Sequence, residues 1–134
     1  MWVKVKNRLI NCARITDFDI MGNDDVADVQ IIFCNGNVTW VSDLPSAESA
    51  NGFIAELWAK AEHRKNNETH WWYKSLKGEY IDPDYVDYFF VDHNDEVRLF
   101  ARKDKRDILM QVADNPDAAL KELDKLEKEL NGGN

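Results

Sequence analysis

Apolar positions recur every second residue over the first forty residues and switch to helical spacing after Ser46. They return to alternation near Tyr88 and change again after Lys103. Period two predicts strands with one buried face, and spacing of three and four predicts an amphipathic helix. The order strands, helix, hairpin, helices predicts an α+β fold: an N-terminal antiparallel β-meander of about five short strands covered by a helix, then a β-hairpin and two C-terminal helices.

In WVKVKNRLINC, Val3 and Val5 alternate with Lys4 and Lys6. A two-residue turn at Asn7-Arg8 would pair Val5 with Ile10 and Val3 with Cys12, all on one face. ITDFDIM sets Thr16, Phe18 and Ile20 against Asp17 and Asp19 and runs into Gly22-Asn23-Asp24-Asp25. In DVQIIFCNGNVTWVS, Asn35-Gly36 suits a type I′ turn, in which both central residues need positive φ. Closing it pairs Phe33 with Val38 and Ile31 with Trp40, which gathers Val29, Ile31, Phe33, Val38 and Trp40 on one apolar face.

The covering helix is predicted over residues 46–66. Ser46 can cap it, and Ala50, Phe53, Ile54, Leu57, Trp58 and Ala61 recur at helical intervals. Burying its four large side chains would stabilise by roughly 6–12 kcal/mol before chain entropy is counted. Residues 67–85 form a connector in which ETHWWYKSLKG suits either a short helix stopped by Gly78 or a strand through THWWY. Residues 86–102 read as a hairpin, YFFV returning as VRLFAR. If Val91 opposes Val97, Phe89 faces Leu99, Phe90 faces Arg98 and Tyr88 faces Phe100. Residues 104–130 read as two helices, one capped by Asp104 with Ile108, Leu109 and Val112 inward, the other capped by Asn115 before Pro116. Ala119, Leu120, Leu123, Leu126 and Leu130 stripe the second. With 134 residues and no linker-like stretch, one domain spanning 1–134 is expected.

Charge sharpens this picture. The chain carries a formal −8, which disfavours the phosphate neutralisation that DNA, RNA and anionic membranes require. Ile15 to Ala59 holds eight acids and no Lys or Arg, whereas Arg98, Arg102, Lys103, Lys105 and Arg106 crowd into nine residues. Cys12 and Cys34 fall in predicted strands, as buried free thiols, and make no Cys-x-x-Cys pair. MWVKVKNRLI has no apolar run long enough for a signal peptide, and no stretch is long enough to span a bilayer. A cytoplasmic location with reduced thiols is the default expectation.

The stretch DPDYVDYFFVDHND, with five aspartates and a histidine, invites a metal reading. A Ca²⁺ loop starting at Asp92 fails, because Val97 stands where glycine is needed and Lys103 where the closing glutamate belongs. His93 has no second His or Cys at turn or helical spacing. No catalytic fingerprint occurs, and Asp92, His93 and Asp95 fall at a hairpin tip open to water. Neither enzyme activity, a metal nor a cofactor is therefore expected. Asp82-Pro83 reads as a turn opener, aspartate bonding the backbone two residues on.

One surface carries chemistry. The outer side of the hairpin would present Tyr88, Phe90, Arg98, Phe100 and Arg102, with Arg106 just beyond. Trp71 and Trp72 are adjacent and cannot share one face of a helix or strand, so they join the set. Aromatic and arginine side chains are enriched at protein interface hot spots, and they also stack on bases and fork onto phosphates. The expectation is a non-enzymatic binding protein acting through a protein–protein interface, as an oligomer. The competing reading is sequestration of a small anionic ligand such as a nucleotide. This face could instead lie beneath Trp71, Trp72 or the C-terminal helices, and a one-residue register slip would exchange the two faces.

Overall fold

A computed structural model describes residues 2–22, 26–62, 73–94 and 96–132. The α+β class holds: the described residues form ten strands in three antiparallel sheets, and two α-helices. The chain divides into two compact units, Cys12–Arg64 and Trp2–Asn11 with Lys65–Asn134.

The first unit contains β3 (Ile15–Gly22), β4 (Ala27–Phe33), β5 (Val38–Leu44) and α1 (Ala47–Glu62). Its sheet has the order β3-β4-β5. The turn at Asn35-Gly36 forms, but as a three-residue loop. Gly36 N–H donates to the Phe33 carbonyl at 2.9 Å, and Phe33 N–H donates to the Asn37 carbonyl at 2.8 Å. Only Gly36 there has positive φ, +87°, so the loop resembles a type I turn closed by a left-handed glycine rather than type I′. The register slips by one, Ile31 opposing Thr39 and Gln30 opposing Trp40. Because side chains alternate, this slip changes the predicted face. Val29, Ile31 and Phe33 are buried as expected, but Thr39 and Val41 join them, while Val38 stays 40% exposed.

Helix α1 begins as predicted. Ser46 Oγ accepts from the Ser49 N–H at 3.1 Å, satisfying a donor that has no partner within the helix. Ala50 and Leu57 are buried, Phe53 and Ile54 are half-buried, and Trp58 remains 43% exposed, its ring nearly perpendicular to that of Phe18. The helix packs on β3, β4 and β5. The predicted end, residues 63–66, lies outside the described residues.

The second unit contains β1 (Trp2–Val5), β2 (Arg8–Asn11), β6 (Tyr73–Lys74), β7 (Tyr80–Ile81), β8 (Tyr88–His93), β9 (Val97–Lys103), β10 (Arg106–Ala113) and α2 (Pro116–Leu130). Its main sheet runs β1-β2-β8-β9-β10. The single N-terminal meander is thus corrected: its first two strands pair with each other and, through β2, with the hairpin strand β8 instead of with β3, the chain leaving β2 through a 3₁₀ turn at Cys12–Arg14. Their turn is at Lys6-Asn7, with Lys6 at φ +55° and Val5 opposite Arg8. Cys12 is buried in that 3₁₀ turn and Cys34 is exposed in a loop, so neither thiol sits in a strand as expected.

The C-terminal helical pair is also corrected. Residues 106–113 are strand β10, and only α2 is helical. Asp104 and Lys105 both take left-handed backbone, φ +50° and +64°, and so close a two-residue hairpin of the primed kind that matches strand twist. Asp104 turns the chain there; it does not cap a helix. In α2, Asn115 Oδ1 accepts from Ala118 N–H at 2.8 Å, the predicted cap. Ala119, Leu123, Leu126 and Leu130 bury against Leu9, Phe89, Val91, Leu99, Ala101 and Ile108 on one face of the main sheet. Part of the connector forms a small hairpin, β6-β7, turned at Gly78 with φ +94°. The Leu76 N–H of its loop donates to the Leu109 carbonyl of β10 at 3.0 Å.

Candidate functional site: the aromatic and arginine face of the main sheet

The core face of the main sheet is occupied by α2, so alternation sends the remaining side chains of β2, β8, β9 and β10 to the opposite face. The observed register of β8 and β9 sets Val91 against Leu99, Phe90 against Phe100 and Tyr88 against Arg102. That is two residues from the predicted pairing, because the strands run on to His93↔Val97. A two-residue shift preserves which face each side chain occupies. Tyr88, Phe90, Arg98, Phe100 and Arg102 therefore share one face.

Three rows of neighbours cross this face. The first runs Ile10, Tyr88, Arg102, Asp107; the second Arg8, Phe90, Phe100, Leu109; the third Asp92, Arg98, Val112. Phe90 and Phe100 stack at 5.3 Å between centroids with 19° between planes, and Tyr88 leans on Phe90 at 5.7 Å. All three aromatic residues are half-buried. Aromatic pairs across strands are worth about 0.2–1 kcal/mol each, so the stack also holds the hairpin together.

Each arginine of the predicted set has a carboxylate beside it. Arg102 reaches Asp107 at 2.9 Å, Arg98 reaches Glu96 at 3.1 Å and Arg106 reaches Glu79 at 3.2 Å. Arg106 alternates with Asp107 along β10 and shares the side of buried Ile108, so it points away from the aromatic stack. Trp71 and Trp72 lie outside the described residues. Burial pushes the Tyr88 hydroxyl above its ordinary pKa; Arg102 and Arg8 pull it down, whereas Asp107 and Asp87 push it further up. At neutral pH it is a proton donor, not a base.

Sequence reasoning missed Arg8, Leu109, Asp107 and Val112. Arg8 joins through the pairing of β2 with β8, a contact between segments eighty residues apart that local periodicity does not carry. The other three were hidden by reading β10 as a helix. Asp87 was missed as well: it is fully buried, its N–H donating to the Arg102 carbonyl and its carbonyl accepting from Asn11 N–H.

The rest of DPDYVDYFFVDHND behaves as turn and hairpin. Asp82 Oδ1 accepts from Asp84 N–H at 3.0 Å and opens a 3₁₀ turn, Pro83–Tyr85. His93 is exposed at the end of β8. Among the described residues no three His, Cys, Asp or Glu side chains converge as metal ligands, and no helix is long and apolar enough to cross a membrane. No family model, curated protein or solved structure matches this chain.

Proposed function

We propose that the chain is a non-enzymatic binding protein whose aromatic and arginine sheet face engages a protein partner, a second copy of itself included. The observation that carries this reading is the Phe90–Phe100 stack with Arg8, Arg98 and Arg102 around it on the sheet face opposite α2. Aromatic anchors ringed by arginine are the composition of interface hot spots. The paired carboxylates argue against the competing anionic ligand. A phosphate would have to displace Glu96 or Asp107 from arginines already engaged, whereas a protein surface can accommodate both members of such a pair at its rim.

The test is a native mass spectrum of the gently purified protein beside its Arg98→Glu and Phe100→Ser variants. The expected result is a multiple of the 15.6 kDa chain, or the chain plus a protein-sized mass, lost in both variants while Arg98→Glu melts where the parent does. A retained mass on the order of a nucleotide, lost in the same variants, would replace this reading with ligand sequestration.

A further inference from the structure

Among the described residues β1 is an edge strand, paired with β2 alone. In its register Val3 and Val5 turn their backbone groups inward to Ile10 and Arg8, so Trp2 and Lys4 direct theirs outward. Such an edge is ordinarily a template for another strand. Here both outward N–H groups are taken by side chains of α2. Trp2 N–H donates to Asn131 Oδ1 at 2.7 Å, and Lys4 N–H donates to Glu127 Oε2 at 2.7 Å. Asn131 Nδ2 returns a bond to the Trp2 carbonyl at 2.8 Å, so one side-chain amide makes the donor–acceptor pair that a neighbouring strand's peptide would make. Lys4 Nζ adds a contact to Asp124 Oδ1 at 2.7 Å.

These groups lie at the end of the helix. Asn131 is the C-terminal cap of α2, exposed, with Gly132 beyond it at φ +111°. Helix ends open before helix middles, and local opening costs far less than global unfolding. Opening of the last turn frees the Trp2 edge and, with Glu127 one turn back, the Lys4 edge, at the cost of lifting Leu130 from the core cluster it shares with Trp2. The middle of α2 stays anchored by Leu123 and Ala119.

We propose that the last turn of α2 is a latch on the β1 edge, and that opening it lets β1 pair antiparallel with β1 of a second copy, extending the sheet across two chains. The second copy is the occupant because Trp2–Val5 is itself a strand with the same outward pattern, and a two-fold antiparallel pairing presents the identical edge to itself. Valines on one face and Trp2 on the other give such a pair strand-forming side chains on both sides.

The experiment is sedimentation of full-length Glu127→Ala/Asn131→Ala beside the parent, with backbone hydrogen exchange at Trp2 and Lys4. The double variant is expected to double its mass at concentrations where the parent does not, with the two amides re-protected in the dimer. Adding Lys4→Pro removes an outward donor without breaking a bond to β2, and is expected to return the smaller species. Phe100→Ser, which acts on the other surface, is expected to leave this association intact, so loss of one interface is separable from loss of the other. Should the double variant lose its native circular dichroism, Asn131→Ala alone keeps Glu127 on Lys4 and is expected to associate at higher concentration. An unchanged mass in a natively folded latch variant, with both amides exchanging fast, overturns the proposal.

Discussion

Lys105, like Lys6, takes a left-handed backbone that a lysine rarely adopts. At φ +64°, following Asp104 at φ +50°, a side chain meets the steric penalty of the left-handed region, about 1–2 kcal/mol for an ordinary residue. Aspartate tolerates the region because its short carboxylate can bond the local backbone, and lysine has no such compensation. Lys105→Gly should therefore stabilise the protein by about 0.5–1 kcal/mol in urea titrations, after allowance for the added freedom of the unfolded chain. Lys105→Val should destabilise by a similar or larger amount, since a β-branched residue fits the region worst. Tyr73 supports a prediction of opposite kind. Its hydroxyl donates to Glu129 Oε2 at 3.0 Å, and burial, then that bond and the charge of Glu129, push its pKa well above the ordinary 10.0. The folded state thus favours the protonated phenol. The stability this contributes is fully present below the ordinary pKa and is lost as pH rises past it toward the folded value. Melting temperature should fall on going from neutral pH to above that value, and Tyr73→Phe should fall less over the same range. Equal slopes would mean that other groups, Tyr88 among them, govern the alkaline limb.

At the scale of elements, the outcome of each prediction follows from the periodicity it used. Two hairpins shifted by two residues from their predicted pairing, β1-β2 and β8-β9, and kept the expected faces for the side chains that stay in the strands, Cys12 having left β2 for the 3₁₀ turn. The β4-β5 hairpin shifted by one and exchanged Val38 and Trp40 for Thr39 and Val41. The alternation was legible in all three cases, but loop length was not, because Asn35-Gly36 fits either a two-residue or a three-residue loop. Strand β10 was misread because RDILMQVA has apolar residues that suit both periods. Aspartate before it is as good a helix cap as it is a left-handed turn residue. The aromatic and arginine face was legible in five residues because they lie on adjacent strands joined by a short loop. Arg8 was not, since nothing local announces that β2 will lie beside β8. The cap of α2 was read correctly, and it supports a quantitative expectation. Asn115→Ala leaves the Ala118 N–H without its acceptor, and should cost about 1 kcal/mol in denaturant titration. Asn115→Ser, which keeps an acceptor, should cost less than half of that.

At the scale of the whole molecule, two compact units built on different sheets replace one continuous meander. The charge asymmetry seen along the chain follows the same division: Cys12–Arg64 holds nine acids against three Lys or Arg, and the remaining residues sixteen against fourteen. Each unit has its own buried leucine at the contact of helix with sheet, Leu57 on α1 and Leu123 on α2. Truncating a fully buried leucine to alanine costs about 2–5 kcal/mol, depending on how far the surroundings close the cavity. If the units open as separate cooperative elements, that cost is felt locally. Leu57→Ala should then accelerate backbone hydrogen exchange through β3, β4, β5 and α1 while β8 and β9 keep their parental protection. Leu123→Ala should loosen β1, β2, β8, β9, β10 and α2 and spare β4. Should either variant raise exchange in all these strands equally, the chain opens as one cooperative whole, and the two sheets share their stability despite their separate cores.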